Sequence, residues 1–272
     1  MRKLQPNAVM FSDAGPDVRW IGNESATGNA TCWGQMDPAR VPYPGFIDVG
    51  LAEALQMGDP TGSVWRPGEA DVSIRPGWFW REAEDGKVRE TANLTELYFG
   101  TVGRNSKLLL NVPPTREGLF HEKDVRVIEE FGRLRTRWFE QDLLQCARVR
   151  ASSQARGHSP QAVLDEDIDS YWSAAEGAHA GWLEFELPAE IEFDTLRLRE
   201  AISQGQHIAT YRVEAWCKGA WRSVSWGTTI GCQKLDRFAA VRTKRLRLEI
   251  DFAYEAPRLA TVSVHRSTGW QL

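Results

Sequence analysis

The sequence predicts an α/β unit followed by an all-β unit. Two observations carry this: up to about Ala147 apolar strand-like runs alternate with helical ones, and beyond it short alternating runs between turn residues replace any convincing helix. The change of texture puts the boundary near Arg148, dividing the chain into residues 1–147 and 148–272. There is no long low-complexity linker between them.

"MRKLQPNAVMFSD" reads as the last turn of a helix stopped at Pro6, then an apolar strand from about Asn7 to Phe11, the tail of an αβ unit. A strand of a parallel sheet is buried on both faces and needs neighbours on both edges. The pattern therefore leads us to expect more of the sheet upstream of Met1, and association through the exposed sheet edge. No signal peptide opens the chain, which carries little weight if the protein begins further upstream.

Next comes "VRWIGNES", where Glu24 stands on a glycine-bearing loop beside Trp20 and Gly22, directly after the strand-like run. A carboxylate on a loop past an apolar strand is a common placement for a reacting group, because the scaffold is rigid and the loop is free to be shaped. The alternative is a solvated loop glutamate. "ADVSIRPGWFW" (70–80) is a strand running into a Pro-Gly turn that ends in aromatics. "NLTELYFGTVGRN" is a helix ending at Gly103, and "SKLLLNVPPTREG" is a second buried strand whose Asn111 begins a loop. His121 belongs to the start of the following helix rather than to a metal or triad site. From Glu122 to about Gln145 apolar residues recur at helical intervals. After "VRASSQARG" the runs "GWLEFEL", "FDTLRLRE", "TYRVEAW" and "KRLRLEI" have the alternation of a β-sandwich.

Composition excludes some function classes. The 272 residues are 42% hydrophobic and 26% charged, with a net charge of -4. That balance gives no basic footprint for nucleic acid, and no apolar run approaches the ~20 residues that span a membrane. Neither is an expected partner. Cys32, Cys146, Cys217 and Cys232 have no CxxC spacing, so neither a zinc site nor a disulfide framework is indicated, although Cys217 and Cys232 would pair if neighbouring strands met. Many of the twelve tryptophans stand beside Gly, Arg or Glu, as Trp20, Trp33, Trp65, Trp78, Trp80, Trp172 and Trp182 do. Sugars offer C–H faces to indole and hydroxyls to charged groups, so the mixture suits a carbohydrate-facing surface; core packing is the competing use.

With these segments in order, the chain resembles α-L-fucosidases of glycoside hydrolase family 29, in the version that favours α-1,3/1,4-linked fucose. The segments that carry the resemblance are "RKLQPNAVMFSDAGPDVRWIGNE", "DVSIRPGWFW", "VGRNSKLLLNVPPTREGLFHEKDVRVIEEFG", "REAISQGQHIATYRVEAW" and "GTTIGCQKLDRF". It implies a partial (β/α)8-type barrel, as in a TIM barrel, followed by a galactose-binding-like (discoidin) β-sandwich. The family hydrolyses with retention through an aspartate nucleophile and a glutamate acid/base. The resemblance makes Glu24, in "WIGNE", the acid/base, and expects the nucleophile in a "WFDG"-like strand end upstream of this chain. A retaining pair has its carboxylates roughly 5–5.5 Å apart: one forms a covalent glycosyl-enzyme, the other protonates the leaving oxygen and then deprotonates water. Burial and the anionic neighbour keep that second group protonated.

Further candidates follow. Trp78, at the presumed C-terminal end of a barrel strand, would pack against the fucose methyl group, or else lie in the core. Arg75, Asp17 and Arg19 would hold sugar hydroxyls or orient Glu24, or else pair with other loop charges. The second unit resembles the discoidin or coagulation-factor C-type sandwich, also used as carbohydrate-binding module family 32. Its loop "LDEDIDSYW" puts Asp165, Asp167 and Ser170 where that fold surrounds a structural calcium ion, although serine replaces threonine and Thr261 stands where such modules often supply glutamate. Trp172 is expected in the sandwich core. Catalysis is expected to need no cofactor, the partner is a fucosylated oligosaccharide or glycoconjugate, and the family implies a periplasmic or extracellular setting. The competing function is a non-catalytic or vestigial carbohydrate-binding protein acting through the sandwich.

Overall fold

A computed structural model describes residues 1–267; residues 268–272, at the end of the expected sandwich, lie outside the described residues. The chain divides into two compact units, Met1–Phe131 and Gly132–Leu272.

In the first unit the strands are β1 (Phe11–Ser12), β2 (Val18–Trp20), β3 (Gln35–Met36), β4 (Val64–Trp65), β5 (Gly68–Ser73) and β6 (Ser106–Asn111). The helices are α1 (Leu51–Met57), α2 (Thr91–Thr101) and α3 (Glu122–Phe139), the last of which begins in this unit and runs on past Phe131. β1, β2, β5 and β6 form a parallel sheet in that order, while β3 and β4 pair separately. The alternation within β5 explains its placement. Ala70 and Val72 are buried with Ile21 and Ala26, with Leu97 of α2 and Leu108 and Leu110 of β6 against them. Glu69 and Asp71 lie on the opposite face, half-buried.

The start of the chain differs from the expected strand over Asn7–Phe11. Met1 to Gln5 form a single turn closed on the Met1 carbonyl, and ladder pairing begins only at Phe11. Asp17 and Val18 donate to the Met10 carbonyl, and Met10 donates back to Asp17 Oδ2. Among the described residues β1 has a partner on one edge alone, so nothing extends its ladder, and Val9 and Phe11 stay exposed.

The second unit is built from β7 (Arg148–Ala151), β8 (Trp172–Ser173), β9 (Gly181–Glu200), β10 (Ile208–Cys217), β11 (Ala220–Thr228), β12 (Lys234–Ala253) and β13 (Arg258–His265). They pair in the order β11-β10-β12-β9-β13-β8, with β7 also on β9. Runs that read as separate short strands are joined here. "GWLEFEL" and "FDTLRLRE" are parts of β9, which pairs with β12 along its length through two register shifts. Shifts of this kind bend a ladder, so one long strand can serve both layers of a sandwich. Trp172, Phe185, Phe193, Tyr211 and Leu248 fill the core, and Leu144 and Ala147 join it from before β7.

Many tryptophans serve this packing. Trp33, Trp138 and Trp172 are buried. Trp182, Trp216 and Trp221 lie beneath guanidinium groups: Arg247 stands 4.2 Å from the Trp221 ring centre, and Arg245 lies near both Trp216 and Trp221. Arg150, Arg245 and Arg247 all bond Glu184.

Two buried titratable groups give the second unit opposed pH dependences. Glu200 accepts backbone N–H bonds from His207 (2.7 Å), Ile208 (2.9 Å) and Gly231 (2.7 Å). Burial outweighs these bonds and pushes its carboxyl from 4.5 up to about 7. His265 meets Gln141 O at 2.8 Å and Ser263 Oγ at 2.9 Å, and burial pushes its imidazole from 6.5 down to about 4. As pH rises, the Glu200 contribution is present below 4.5 and lost through about 7, whereas the His265 contribution is absent near 4 and complete above 6.5. Between pH 4.5 and 6.5 the two slopes, each of order 1.4 kcal/mol per pH unit, nearly cancel. Glu200→Gln should therefore make stability climb with pH across that window, and His265→Asn should make it fall. Urea unfolding followed at the Val213 amide checks this; parallel profiles for wild type and both variants would disprove it.

Candidate active site

Glu24 sits on the loop that leaves β2. Gly22 has φ +84°, a left-handed conformation that favours glycine. The Asn23 side chain then wraps the turn, accepting from Ser25 N (3.1 Å) and Ser25 Oγ (2.7 Å) and donating to Thr27 O (3.0 Å). Gln56 Nε2 donates to Ile21 O at 2.7 Å, and Thr101 Oγ1 donates to Ala26 O at 3.0 Å, so α1 and α2 hold the two ends of the loop. The Glu24 carboxylate is left exposed.

The turn after β5 comes to meet it. Trp78 Nε1 donates to Glu24 Oε2 at 3.3 Å, and the indole is 37% exposed. Ser73 Oγ donates to Gly77 O at 2.7 Å, and Asn111 Nδ2, at the end of β6, donates to Ser73 Oγ and to Trp78 O, both at 3.0 Å. Two residues 54 positions apart are thus brought together by the C-terminal ends of adjacent parallel strands.

Arg75 is a buried part of the scaffold. Its Nε donates to both Asp124 oxygens, at 2.9 and 3.1 Å, and its Nη1 to Asp85 at 2.8 Å; Arg75 and Asp124 are both fully enclosed. Burial pulls the guanidinium pKa down, but the bonds to Asp124 and Asp85 outweigh it and hold it above its ordinary value. Asp85 is held below the carboxylate range, chiefly by its bond from Arg75. His121 Nε2 stands 3.3 Å from Asp85, and its Nδ1 accepts from Lys123 N at the start of α3.

Arg19 is also fully buried, donating to Leu55 O (2.8 Å) and Arg66 O and lying 3.6 Å from Cys32 Sγ; burial lowers its pKa. Asp17 accepts from Met10 N and pairs with Arg2, and these two bonds lower its pKa. Neither bonds Glu24. Inspection of the sequence missed Asn111 and Ser73 as supports of the turn, and missed the bond of 2.7 Å from Trp20 Nε1 to Asp71. The signal was the period of two in "EADVS", which sets Glu69, Asp71 and Ser73 on one face. Burial raises the Glu69 pKa, Lys107 opposes this and Asp71 adds to it.

In the second unit, Asp165 accepts from Ser170 Oγ at 2.8 Å and from Asp167 N at 3.2 Å, and Asp167 accepts from Asp169 N at 3.0 Å. The loop oxygens thus bond within the loop, and among the described residues no group of three His, Cys, Asp or Glu gathers that could hold a metal ion. No helix among them is long and apolar enough to cross a membrane. None of the four cysteines is joined in a disulfide among the described residues.

The Alpha-L-fucosidase family matches residues 45–140, and the F5/8 type C domain family matches residues 148–255. Alpha-L-fucosidase 1 of Arabidopsis thaliana is 38% identical over 274 residues, covering 97% of this chain and 53% of that protein. The chain is similar to α-L-fucosidases over nearly all of its own length. Two glycoside hydrolase family 29 (GH29) structures share the architecture of this chain. The crystal structure of SpGH29 superposes with a TM-score of 0.90 at 34% identity, covering 98% of this chain and 58% of that one. A Ruminococcus gnavus GH29 fucosidase in complex with fucose does so with a TM-score of 0.86 at 28% identity, covering 96% and 53%. The chain spans about half the length of the curated relatives it matches.

The Arg75 clamp yields a prediction. Removing one partner of a buried pair leaves the other charge uncompensated. Asp124→Ala should destabilise the first unit by about 3–5 kcal/mol in urea unfolding, and Asp85→Ala, at the half-exposed end, by distinctly less. Equal small losses would show that Arg75 does not depend on Asp124.

Proposed function

We propose that this chain carries the acid/base half of a retaining α-L-fucosidase site, and that Glu24 is the acid/base. The observation that carries the reading is the Glu24–Trp78 contact at the C-terminal ends of parallel strands, in a chain that aligns with α-L-fucosidases over nearly all of its length. Glu24 protonates the glycosidic oxygen as the bond to the anomeric carbon breaks, then takes a proton from the water that releases fucose. The carboxylate nucleophile that attacks the anomeric carbon belongs to the part of the relatives that this chain does not span. Trp78 offers an apolar wall for the fucose methyl group. Arg75, Arg19 and Asp17 take scaffold roles, since each is already bonded within the protein. The Asp165–Ser170 loop acts as an internally bonded turn, and no step runs through calcium. The substrate is a fucosylated glycan, met outside the cytoplasm.

The reading is tested at two levels. The 272-residue chain should release the aryl group of an aryl α-L-fucoside far more slowly than the ~1 per second of an ordinary enzyme. In a longer protein that carries the nucleophile, Glu24→Ala should cut turnover strongly for poor leaving groups and less for activated aryl fucosides, with partial rescue by azide. Equal losses on both substrate types, without an azide response, would remove Glu24 from the role.

A second reading is favoured by one observation in the second unit. A cavity of about 510 Å³ there is lined by His158, Tyr171, Glu176, His179, Glu255 and Arg258 among others, with His158 and Tyr171 stacked 4.3 Å apart. An aromatic wall with charged groups suits a sugar. In this reading Tyr171→Ala abolishes binding of a fucosylated oligosaccharide titrated into the chain, and Glu24→Ala leaves it intact; the opposite pattern would reject it.

A further inference from the structure

The bond between Trp78 and Glu24 does more than bring two candidates together. We propose that the Trp78 indole N–H is the positioning group for Glu24: it engages Oε2 and thereby assigns the exchangeable proton to Oε1. This rests on the reading of Glu24 as acid/base, and adds which oxygen acts and what orients it.

An indole N–H donates and never accepts, and the carbonyl oxygen of a protonated carboxyl is a better acceptor than its hydroxyl oxygen, so the oxygen facing the indole is the disfavoured place for the proton. Trp78 Nε1 meets Oε2 at 3.3 Å, and Glu24 has no other hydrogen bond among the described residues. A protonated Glu24 therefore carries its hydrogen on Oε1, with Oε2 as the carbonyl acceptor. An ionised Glu24 keeps the same orientation, because the bond to a carboxylate is the stronger of the two. The orientation persists through both halves of a proton-transfer cycle.

A positioning group must itself be fixed. Trp78 O accepts from Asn111 Nδ2 at 3.0 Å, and the preceding Gly77 O accepts from Ser73 Oγ at 2.7 Å. Three residues before the tryptophan, Arg75 is clamped by Asp124 and Asp85. Trp78 thus approaches Glu24 from a turn anchored to β6 and to the start of α3. Glu24 itself is exposed on its loop, so the indole supplies the restraint that its surroundings do not.

The experiment uses the 272-residue chain and needs no turnover. Indole N–H resonances are recorded with ¹⁵N-labelled protein, and the Trp78 signal is assigned by its loss in Trp78→Phe. Across the carboxylate range this signal should follow one titration in wild type and lose that titration in Glu24→Gln, while Ser25→Ala, one residue along, keeps it. Asn111→Ala should weaken the response by releasing the turn. A Trp78 signal that does not titrate, or titrates identically in Glu24→Gln, overturns the proposal. That outcome leaves the acid/base assignment to the leaving-group test, while a failed leaving-group test with a titrating indole would retain the contact and remove its catalytic meaning.

Discussion

A guanidinium with no exposure to water needs groups that replace its hydration, and Arg75 finds them for Nε in Asp124 and for Nη1 in Asp85, while its Nη2 is buried without a partner. Much of the candidate site follows from that constraint. Asp124 lies in the first turn of α3, where a carboxylate also suits the helix dipole, so the clamp ties the turn after β5 to the start of a helix. His121 bonds both Asp85 and the Lys123 amide, extending the tie across that junction. Trp78 rides on the clamped turn. The turn that carries the indole is therefore held by charges that never touch the ring.

The second unit solves a different problem. Its strands close their ladders among themselves, and β9 and β12 stay paired through two register shifts rather than ending at them. Within this frame Glu200 ties the Gly231 backbone to that of His207 and Ile208, while His265 links β13 to Gln141 ahead of β7. Both are polar groups in an apolar setting, and burial pushes each toward its neutral form. Glu184 gathers three arginines, and the guanidinium groups of two of them, Arg245 and Arg247, cover tryptophan rings. Those indoles are occupied by the protein's own cations, which separates them from the exposed Trp78.

What the sequence made legible follows from the range of each signal. The change from alternating helices and strands to short strands alone marked the two textures, because hydrophobic period is a local property. The "RPGWFW" turn and the glycine loop carrying Glu24 were legible for the same reason, as was the buried place of Trp172. The roles of Arg75 and Arg19 were not. An arginine in a loop reads alike whether it faces a sugar or a carboxylate 49 positions away, and only folding brings Asp124 to Arg75. The run over residues 7–10 looked like a strand by composition, yet a strand is made by its neighbours. Asn111, which looked like the start of a loop, holds the tryptophan turn through a bond that no spacing announces.

Geometry and chemistry separate in this chain in an instructive way. The groups that orient Glu24 lie between Gly22 and Asp124, within the first unit, so its placement needs nothing further. In the reading proposed above, the carboxylate that Glu24 would work with lies in the part of the relatives that this chain does not span, so the bonds that orient Glu24 and its partner in catalysis come from different stretches of sequence.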